Sequence, residues 1–173
     1  MHSTTADNPA FSGEQIAVRN PRSGALDYQF VAPSAAQVRA LAQRLRAAQL
    51  AWRDGGQPRR IAALLRWRDA LAARRSEIID ALAVDTGRYL ITVGEFSSLL
   101  GAIERWCQQV PQLAQEQEGQ SQAVASLSWR SQYVPYALAG VISPWNFPLI
   151  LAFIDAVPAL LAGCSVLVEP SEV

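Results

Sequence analysis

One asparagine stands where a side-chain amide could take part in chemistry. Asn146 lies in the run GVISPWNFP (140–148), between Pro144 and Pro148 and just after an apolar segment typical of a strand. The two prolines restrict the backbone, so the direction of the amide is set at small entropic cost. Such an amide can donate to negative charge developing on a carbonyl oxygen, and loss of one such donor typically costs about 3–4 kcal/mol of transition-state stabilisation.

The same residue has a purely structural interpretation. Proline is favoured at the first position of a helix, and asparagine is favoured as the residue that caps it. Asn146 is therefore also a candidate cap for a helix opened by Pro148. Spacing alone leaves both interpretations open.

A second polar turn follows a second apolar run. Residues 138–143 and 165–168 have strand character, and an apolar helix, which Pro158 should kink or divide, is predicted between them. Parallel strands joined by one helix bind ligands beyond their carboxyl ends. The loop at Trp145-Asn146 and the turn at 169–172 are both predicted there, so we expect an α/β fold with a ligand site at that edge.

The preceding elements are predicted from turns and hydrophobic spacing. A β-hairpin is expected around the turn at 20–24, followed by three helices. The first helix is capped by Ser34 and carries an inward stripe of Val38, Leu41, Leu45, Ala48 and Trp52, the second runs from Pro58 to Gly87, and the third covers Val93–Val110 with Phe96, Leu99, Leu100, Ile103 and Trp106 inward.

The segment before the βαβ unit is harder to assign. Residues 115–122 are rich in Gln and Glu and are interpreted as a linker or a frayed helix end. Partial alternation over 123–138 predicts one extended strand without a local partner. Such an edge should pair elsewhere, in another part of the protein or in another subunit.

Composition argues against several functions. The chain has 15 basic and 15 acidic residues, and all the basic ones are arginine, so no positive excess supports nucleic-acid binding. The single histidine, His2, lies in a polar tail (1–15) predicted to be disordered, and no metal site is expected. Cys107 and Cys164 are far apart in apolar surroundings, which favours a reducing compartment. With no secretory signal or membrane-spanning segment recognised, the chain is predicted to be cytoplasmic.

Several motifs together resemble the aldehyde dehydrogenase superfamily. The similarity extends from about Ile16 to Val173, and its most specific part is the Trp-Asn-Phe-Pro segment. The motifs are Asn20-Pro21 with Gly24, Ala48 and Trp52 before an arginine, Asp85-Thr86-Gly87 followed by Glu95, Pro144–Pro148, Pro158-Ala159-Leu160, Gly163-Cys164, and a Pro-Ser-Glu turn at 170–172.

This resemblance implies a partial Rossmann-like NAD-binding domain of the aldehyde dehydrogenase fold. Residues 16–118 would be the N-terminal part of the cofactor-binding domain, and 138–173 its first βαβ unit, cut short. Residues 119–137 would form oligomerisation or bridging strands, so a homo-oligomer is expected at full length.

The resemblance also implies roles for individual residues. Asn146 corresponds to the asparagine that donates to the oxyanion of a cysteine thiohemiacetal. The loop Ile142, Ser143, Pro144 and Trp145 would line the nicotinamide and pyrophosphate side of the cofactor, and Glu169, Ser171 and Glu172 would surround the adenosine ribose. Cys164 corresponds to a packing position, and Cys107 corresponds to nothing catalytic.

Glu169 departs from the family pattern, which usually has lysine at this position. A carboxylate can accept hydrogen bonds from ribose hydroxyls but repels a 2′-phosphate, which predicts NAD over NADP. The alternative is that Glu169 points into solvent and decides nothing.

The family's glycine-rich loop, glutamate base and cysteine nucleophile are expected beyond Val173. The chain is therefore predicted to be an N-terminal fragment of an NAD-dependent enzyme that oxidises an aldehyde to a carboxylic acid, and to be inactive alone. One alternative is a non-catalytic interaction module that pairs with a dehydrogenase subunit. Another is a small nucleotide-binding domain acting alone, but no Gly-x-Gly-x-x-Gly run is present to grip a phosphate.

Overall fold

A computed structural model describes residues 12–171 and shows, within them, three separate two-stranded sheets and five helices. In chain order the elements are β1 (Gln15–Arg19), β2 (Leu26–Val31), α1 (Ala35–Asp54), α2 (Gly56–Ala73), α3 (Arg75–Thr86), α4 (Tyr89–Leu113), β3 (Glu118–Gln120), β4 (Ser128–Arg130), β5 (Leu138–Ile142), α5 (Pro148–Ala162) and β6 (Ser165–Glu169).

The predicted hairpin is confirmed as the antiparallel pair β1–β2. In its turn, the Asn20 side-chain oxygen accepts from the backbone N–H groups of Arg22 and Ser23, at 2.9 and 3.2 Å. Gly24 adopts a φ of 70°, which favours glycine. Arg22 Nη2 donates to the Gly87 carbonyl at 3.0 Å, and this bond fastens the hairpin to the end of α3.

Helix α1 begins with the predicted Ser34 cap, which forms a capping box with Gln37. The residue of α1 that is buried, however, is Gln49, and the predicted apolar stripe is at most half-buried. Gln49 Nε2 donates to the Gly163 carbonyl at 2.8 Å, close to the start of β6. A polar side chain is thus buried because it satisfies a buried carbonyl far along the chain.

The single helix predicted from Pro58 to Gly87 is wrong, since the structure has two helices there. Arg74 leaves the helical region (φ −104°, ψ 22°), and its N–H bonds to the Leu71 carbonyl at 3.0 Å. No glycine or proline marks this break in the sequence. Both resulting helices contact α4, so tertiary packing accommodates the break. The stop at Gly87 is confirmed by its left-handed φ of 69°.

Helix α4 extends past both predicted ends. Its first turn carries the exposed apolar residues Tyr89, Leu90 and Ile91, which conceal the helical pattern. Pro111 lies inside the last turn, where it removes only one backbone donor. The predicted inward face is confirmed for Phe96, Leu99 and Ile103, while Leu100 and Trp106 are half-buried.

The core is formed where α2, α4 and α5 meet. Buried side chains from these three helices make one cluster of Leu64, Leu99, Ile103, Cys107, Val110, Val157 and Leu161. Among the tryptophans, Trp67 packs edge-on against Phe153 with ring centroids 4.9 Å apart, and Trp52 Nε1 donates to the Leu160 carbonyl at 2.9 Å. The tryptophans of α1 and α2 therefore join the packing.

The βαβ unit is confirmed as β5–α5–β6, with the two strands parallel. Pro148 opens α5, and Gly163 ends it in the left-handed conformation. Pro158 lies inside α5 without dividing it. Local sequence was therefore sufficient to predict where this helix begins and ends.

The single extended strand predicted over 123–138 is wrong. Between residues 123 and 137 only Ser128–Arg130 is a strand, and it pairs with Glu118–Gln120, inside the region interpreted as a linker. The register places Gly119 opposite Trp129, whose ring leaves no room for a side chain: a Cβ on Gly119 would lie 2.8 Å from Trp129 Cζ2. The partner of this strand is local.

The predicted tail (1–15) lies mainly outside the described residues. Its last four members do not fit that prediction, because Gly13 N–H donates to the Ala32 carbonyl at 2.9 Å and Gln15 begins β1. Within residues 12–171, no helix is both long and apolar enough to cross a membrane.

Two leucines of α4 offer a matched test of the core. Leu99 is 0 % exposed and Leu90 is 83 % exposed. We expect Leu99→Ala to lower the free energy of unfolding by about 2–5 kcal/mol, because it leaves a cavity. Urea unfolding of both variants measures this. A loss for Leu90→Ala as large as that for Leu99→Ala would contradict the assigned core.

Candidate functional site

Two loops meet at the carboxyl ends of β5 and β6. Ile142 pairs with Glu169 at the last position of the parallel register, and the Ser143 N–H donates to the Glu169 carbonyl at 2.9 Å. The structure thus joins the two predicted segments, 142–146 and 169–171, through Ile142, Ser143 and Glu169. Glu172 lies outside the described residues.

The residues of the first loop face different ways. Ile142 and Trp145 are 79 % and 64 % exposed, and Pro144 is also exposed. Ser143 is buried, and its Oγ donates to the Pro148 carbonyl at 2.8 Å. The Ser143 side chain therefore braces the loop, while its neighbours present apolar surface to solvent.

Asn146 does not cap the helix that follows it. The cap position of α5 is Phe147, and no side chain at that position bonds to the helix. Asn146 is half-buried, and its side-chain amide makes no hydrogen bond to any residue within 12–171. The capping interpretation is wrong, and no described residue accepts either hydrogen of the amide.

The cap is supplied by Glu95 of α4. Its Oε1 accepts from the backbone N–H groups of Leu149 and Ile150, at 2.8 and 2.9 Å. Glu95 is only 3 % exposed, and its Oε2 is buried with no partner among the described residues. A carboxylate is stabilised at this position because the start of a helix carries partial positive charge.

Sequence reasoning used Glu95 only as part of the family resemblance and missed this contact. A signal was present, because Glu95 shares the helical stripe of Leu99 and Ile103, and a charge on an apolar stripe needs a buried partner. A second signal was the absence of Ser, Thr or Asp directly before Pro148. The partner itself is 54 residues away from Leu149, so spacing could not identify it.

Arg88, directly before α4, holds the other end of the loop. Its Nη2 donates to the Asn146 carbonyl, and its guanidinium lies over the Phe147 ring, 5.4 Å from the centroid. This contact combines a charge-assisted hydrogen bond with a cation–π interaction. The side chain of Asn146 is thus attached to a backbone that is held on both sides.

Neither cysteine is placed to act as a nucleophile. Cys107 and Cys164 are both buried. Burial raises the pKa of the Cys107 thiol, and the nearby Arg68 opposes this shift only in part. A raised pKa lowers the fraction of reactive thiolate at neutral pH. Within residues 12–171 there is also no cluster of three metal-ligating His, Cys, Asp or Glu side chains.

The parallel β5–α5–β6 unit with its strand-end loops makes this an α/β protein. The sequence model of the aldehyde dehydrogenase family matches this chain over residues 9–173. The chain belongs to the aldehyde dehydrogenase family. It is 34 % identical over 164 residues to an N-succinylglutamate 5-semialdehyde dehydrogenase of Chromobacterium violaceum, a match that covers 94 % of this chain and 33 % of that protein.

Solved structures share the fold. PutA of Anabaena variabilis is 45 % identical with a TM-score of 0.88, over 92 % of this chain and 34 % of the other. An NAD-dependent benzaldehyde dehydrogenase of Corynebacterium glutamicum is 25 % identical with a TM-score of 0.86, over 94 % and 35 %. The chain thus has the aldehyde dehydrogenase fold and spans about a third of the length of these relatives.

The burial of both cysteines makes a direct prediction. In the folded chain at pH 8, Cys107 and Cys164 should react with a thiol reagent much more slowly than free cysteine, because access is blocked. The raised pKa of Cys107 means that its rate should still be increasing above the pH where an ordinary thiol is ionised. Mass spectrometry after timed alkylation measures this, with the urea-unfolded chain as control. Fast labelling of either cysteine in the folded chain would contradict its burial.

Proposed function

We propose that these residues form the cofactor-facing and oxyanion-binding part of an NAD-dependent aldehyde dehydrogenase, which oxidises an aldehyde to a carboxylic acid. The observation that carries the proposal is the side-chain amide of Asn146, which follows β5 and makes no hydrogen bond to the described part of the chain. In this proposal Asn146 donates to the oxygen of the aldehyde when that oxygen becomes negatively charged.

The exposed surface of the first loop fits a dinucleotide. Ile142 and Trp145 offer apolar contact to a flat ring, and Glu169 and Ser171 can bond to ribose hydroxyls from the neighbouring strand end. Pro144 completes the exposed loop, and Ser143 supports it from within. Bound NAD supplies the hydride acceptor for the reaction.

The start of α5 is not where we place the pyrophosphate. A helix N-terminus often binds phosphate through its free amides. Here the amides of Leu149 and Ile150 already bond to Glu95, whose charge would repel a phosphate. The proposed cofactor therefore lies along the strand-end loops.

We propose that NAD is preferred over NADP. Glu169 is exposed at the end of β6, where a 2′-phosphate would meet a like charge. Solved structures with this fold include NAD-dependent and NADP-dependent enzymes, so the fold itself leaves the choice open.

The nucleophile in this proposal is a cysteine other than Cys107 or Cys164, since both are buried. Without an accessible thiolate, residues 1–173 cannot form the covalent intermediate that precedes hydride transfer. We infer that these residues alone have no catalytic activity. They would contribute the binding site for the hydride acceptor to a longer enzyme.

We also propose that residues 119–137 contribute to a homo-oligomer. Apolar side chains along this segment are exposed, namely Val124, Leu127, Trp129, Tyr133, Val134 and Tyr136. Burial of these apolar side chains against a second copy would be favourable.

Cofactor choice tests the assignment of Glu169. We expect NAD to shift the backbone NMR signals of Ile142, Trp145 and Glu169, and NADP to bind about tenfold more weakly because of charge repulsion. Glu169→Gln should narrow that difference, whereas Glu118→Gln, an exposed glutamate on β3, should leave it unchanged. Tighter binding of NADP to the unchanged chain would refute the preference.

A chimera tests Asn146. Residues 9–173 would replace the matched third of the Chromobacterium violaceum relative. In an active chimera, Asn146→Ala should lower kcat about 10²–10³-fold with little effect on KM, because one oxyanion donor is lost. Gln108→Ala, which removes an exposed amide on α4, serves as control. An unchanged kcat for Asn146→Ala would remove Asn146 from the proposed chemistry. The chain without the remaining two-thirds should form no NADH.

A further inference from the structure

Helix α4 and the residue before it contact the loop that carries Asn146 at two points. Arg88 precedes α4 and bonds to the Asn146 carbonyl, while Glu95, two turns further along, bonds to the first two amides of α5. Pro148 has no N–H, so Leu149 and Ile150 are the first residues of α5 that can donate. One helix therefore contacts the backbone on both sides of the Asn146 side chain.

We propose that Glu95 is a positioning residue for Asn146, with Arg88 as the second contact of the same clamp. The proposal rests on the role given to Asn146 above. An oxyanion donor acts only if its direction is set before the reaction, and an uncapped first turn would let the preceding residues reorient. A carboxylate from α4 performs the capping role that Asn146 would otherwise take, so the amide is not needed as a cap for its own helix.

The form of the Glu95 side chain matters to this role. One oxygen accepts both bonds, at 2.8 and 2.9 Å, and the second is buried without a partner among the described residues. Glutamine preserves the shape and the accepting oxygen, but it loses the charge that strengthens bonds at a helix N-terminus. Alanine removes both bonds. Glu95→Gln and Glu95→Ala should therefore give a graded series.

The test is amide hydrogen exchange and side-chain NMR on the whole chain. In Glu95→Ala, exchange at Leu149 and Ile150 should rise roughly ten- to hundredfold, since bonds to a charged acceptor are lost. Exchange at Leu151, whose N–H bonds to the Phe147 carbonyl at 3.1 Å, should change less. In the same variant, the two hydrogens of the Asn146 side-chain amide should no longer give one defined pair of NMR signals, because the loop can then reorient. A general loss of stability would not move these signals selectively.

A control variant and a second substitution of Glu95 separate the proposed contact from a general loss of stability. Glu104→Ala, an exposed glutamate on the same helix, should change none of these signals. Glu95→Gln should raise exchange at Leu149 and Ile150 only a few-fold and restore the Asn146 signals. Unchanged exchange, or unchanged Asn146 signals in folded Glu95→Ala, would overturn the proposal. If that variant does not fold, the proposal is overturned by unchanged exchange in Glu95→Gln.

No readout in this test uses cofactor or aldehyde. A chain that fails to bind NAD while Glu95→Ala releases Asn146 would refute the proposed function and leave the clamp standing. A chain that binds NAD but shows unchanged Asn146 signals in Glu95→Ala would refute the clamp and leave the proposed function standing. The two failures are therefore distinguishable.

Discussion

A buried carboxylate at the start of α5 is the constraint on which the rest of the site depends. Glu95 is almost completely removed from solvent, and burial of a charge is costly unless hydrogen bonds and local positive potential offset it. The two amides of α5 and the partial charge of the helix end provide that compensation. The same bonds fix α4 and α5 together at the edge of the sheet where the two strand-end loops begin.

This constraint has two chemical consequences. It leaves the Asn146 amide unused by the helix, as the proposed role of this amide as an oxyanion donor requires. It also fills the anion-binding amides of α5 with a protein carboxylate, which moves the proposed cofactor toward Ile142 and Glu169. A site of this kind needs no glycine-rich turn before α5, and none is present in the sequence. Arg88 adds a positive charge on the other side of the loop.

Local sequence predicted the elements whose causes are local. The hairpin turn, the Ser34 cap, the helix stop at Gly87 and the β5–α5–β6 unit all depend on residues close to one another in the chain. The errors have non-local causes. The break at Arg74 carries no glycine or proline, and Gln49 is buried because of a carbonyl at Gly163. Strand β3 was hidden in a polar, Gln-rich segment, where alternation is weak, so the local partner of β4 was missed.

By itself the sequence determined the α/β class, the position of Asn146 between two prolines and the strand-end location of the two polar turns. Those properties follow from backbone restrictions and from hydrophobic period, which act over a few residues. Only the tertiary structure decided that Asn146 does not cap α5. Its freedom from capping depends on Glu95, which reaches α5 from 54 residues away because both helices pack into one core. A contact of that kind is set by packing, and no local pattern encodes it.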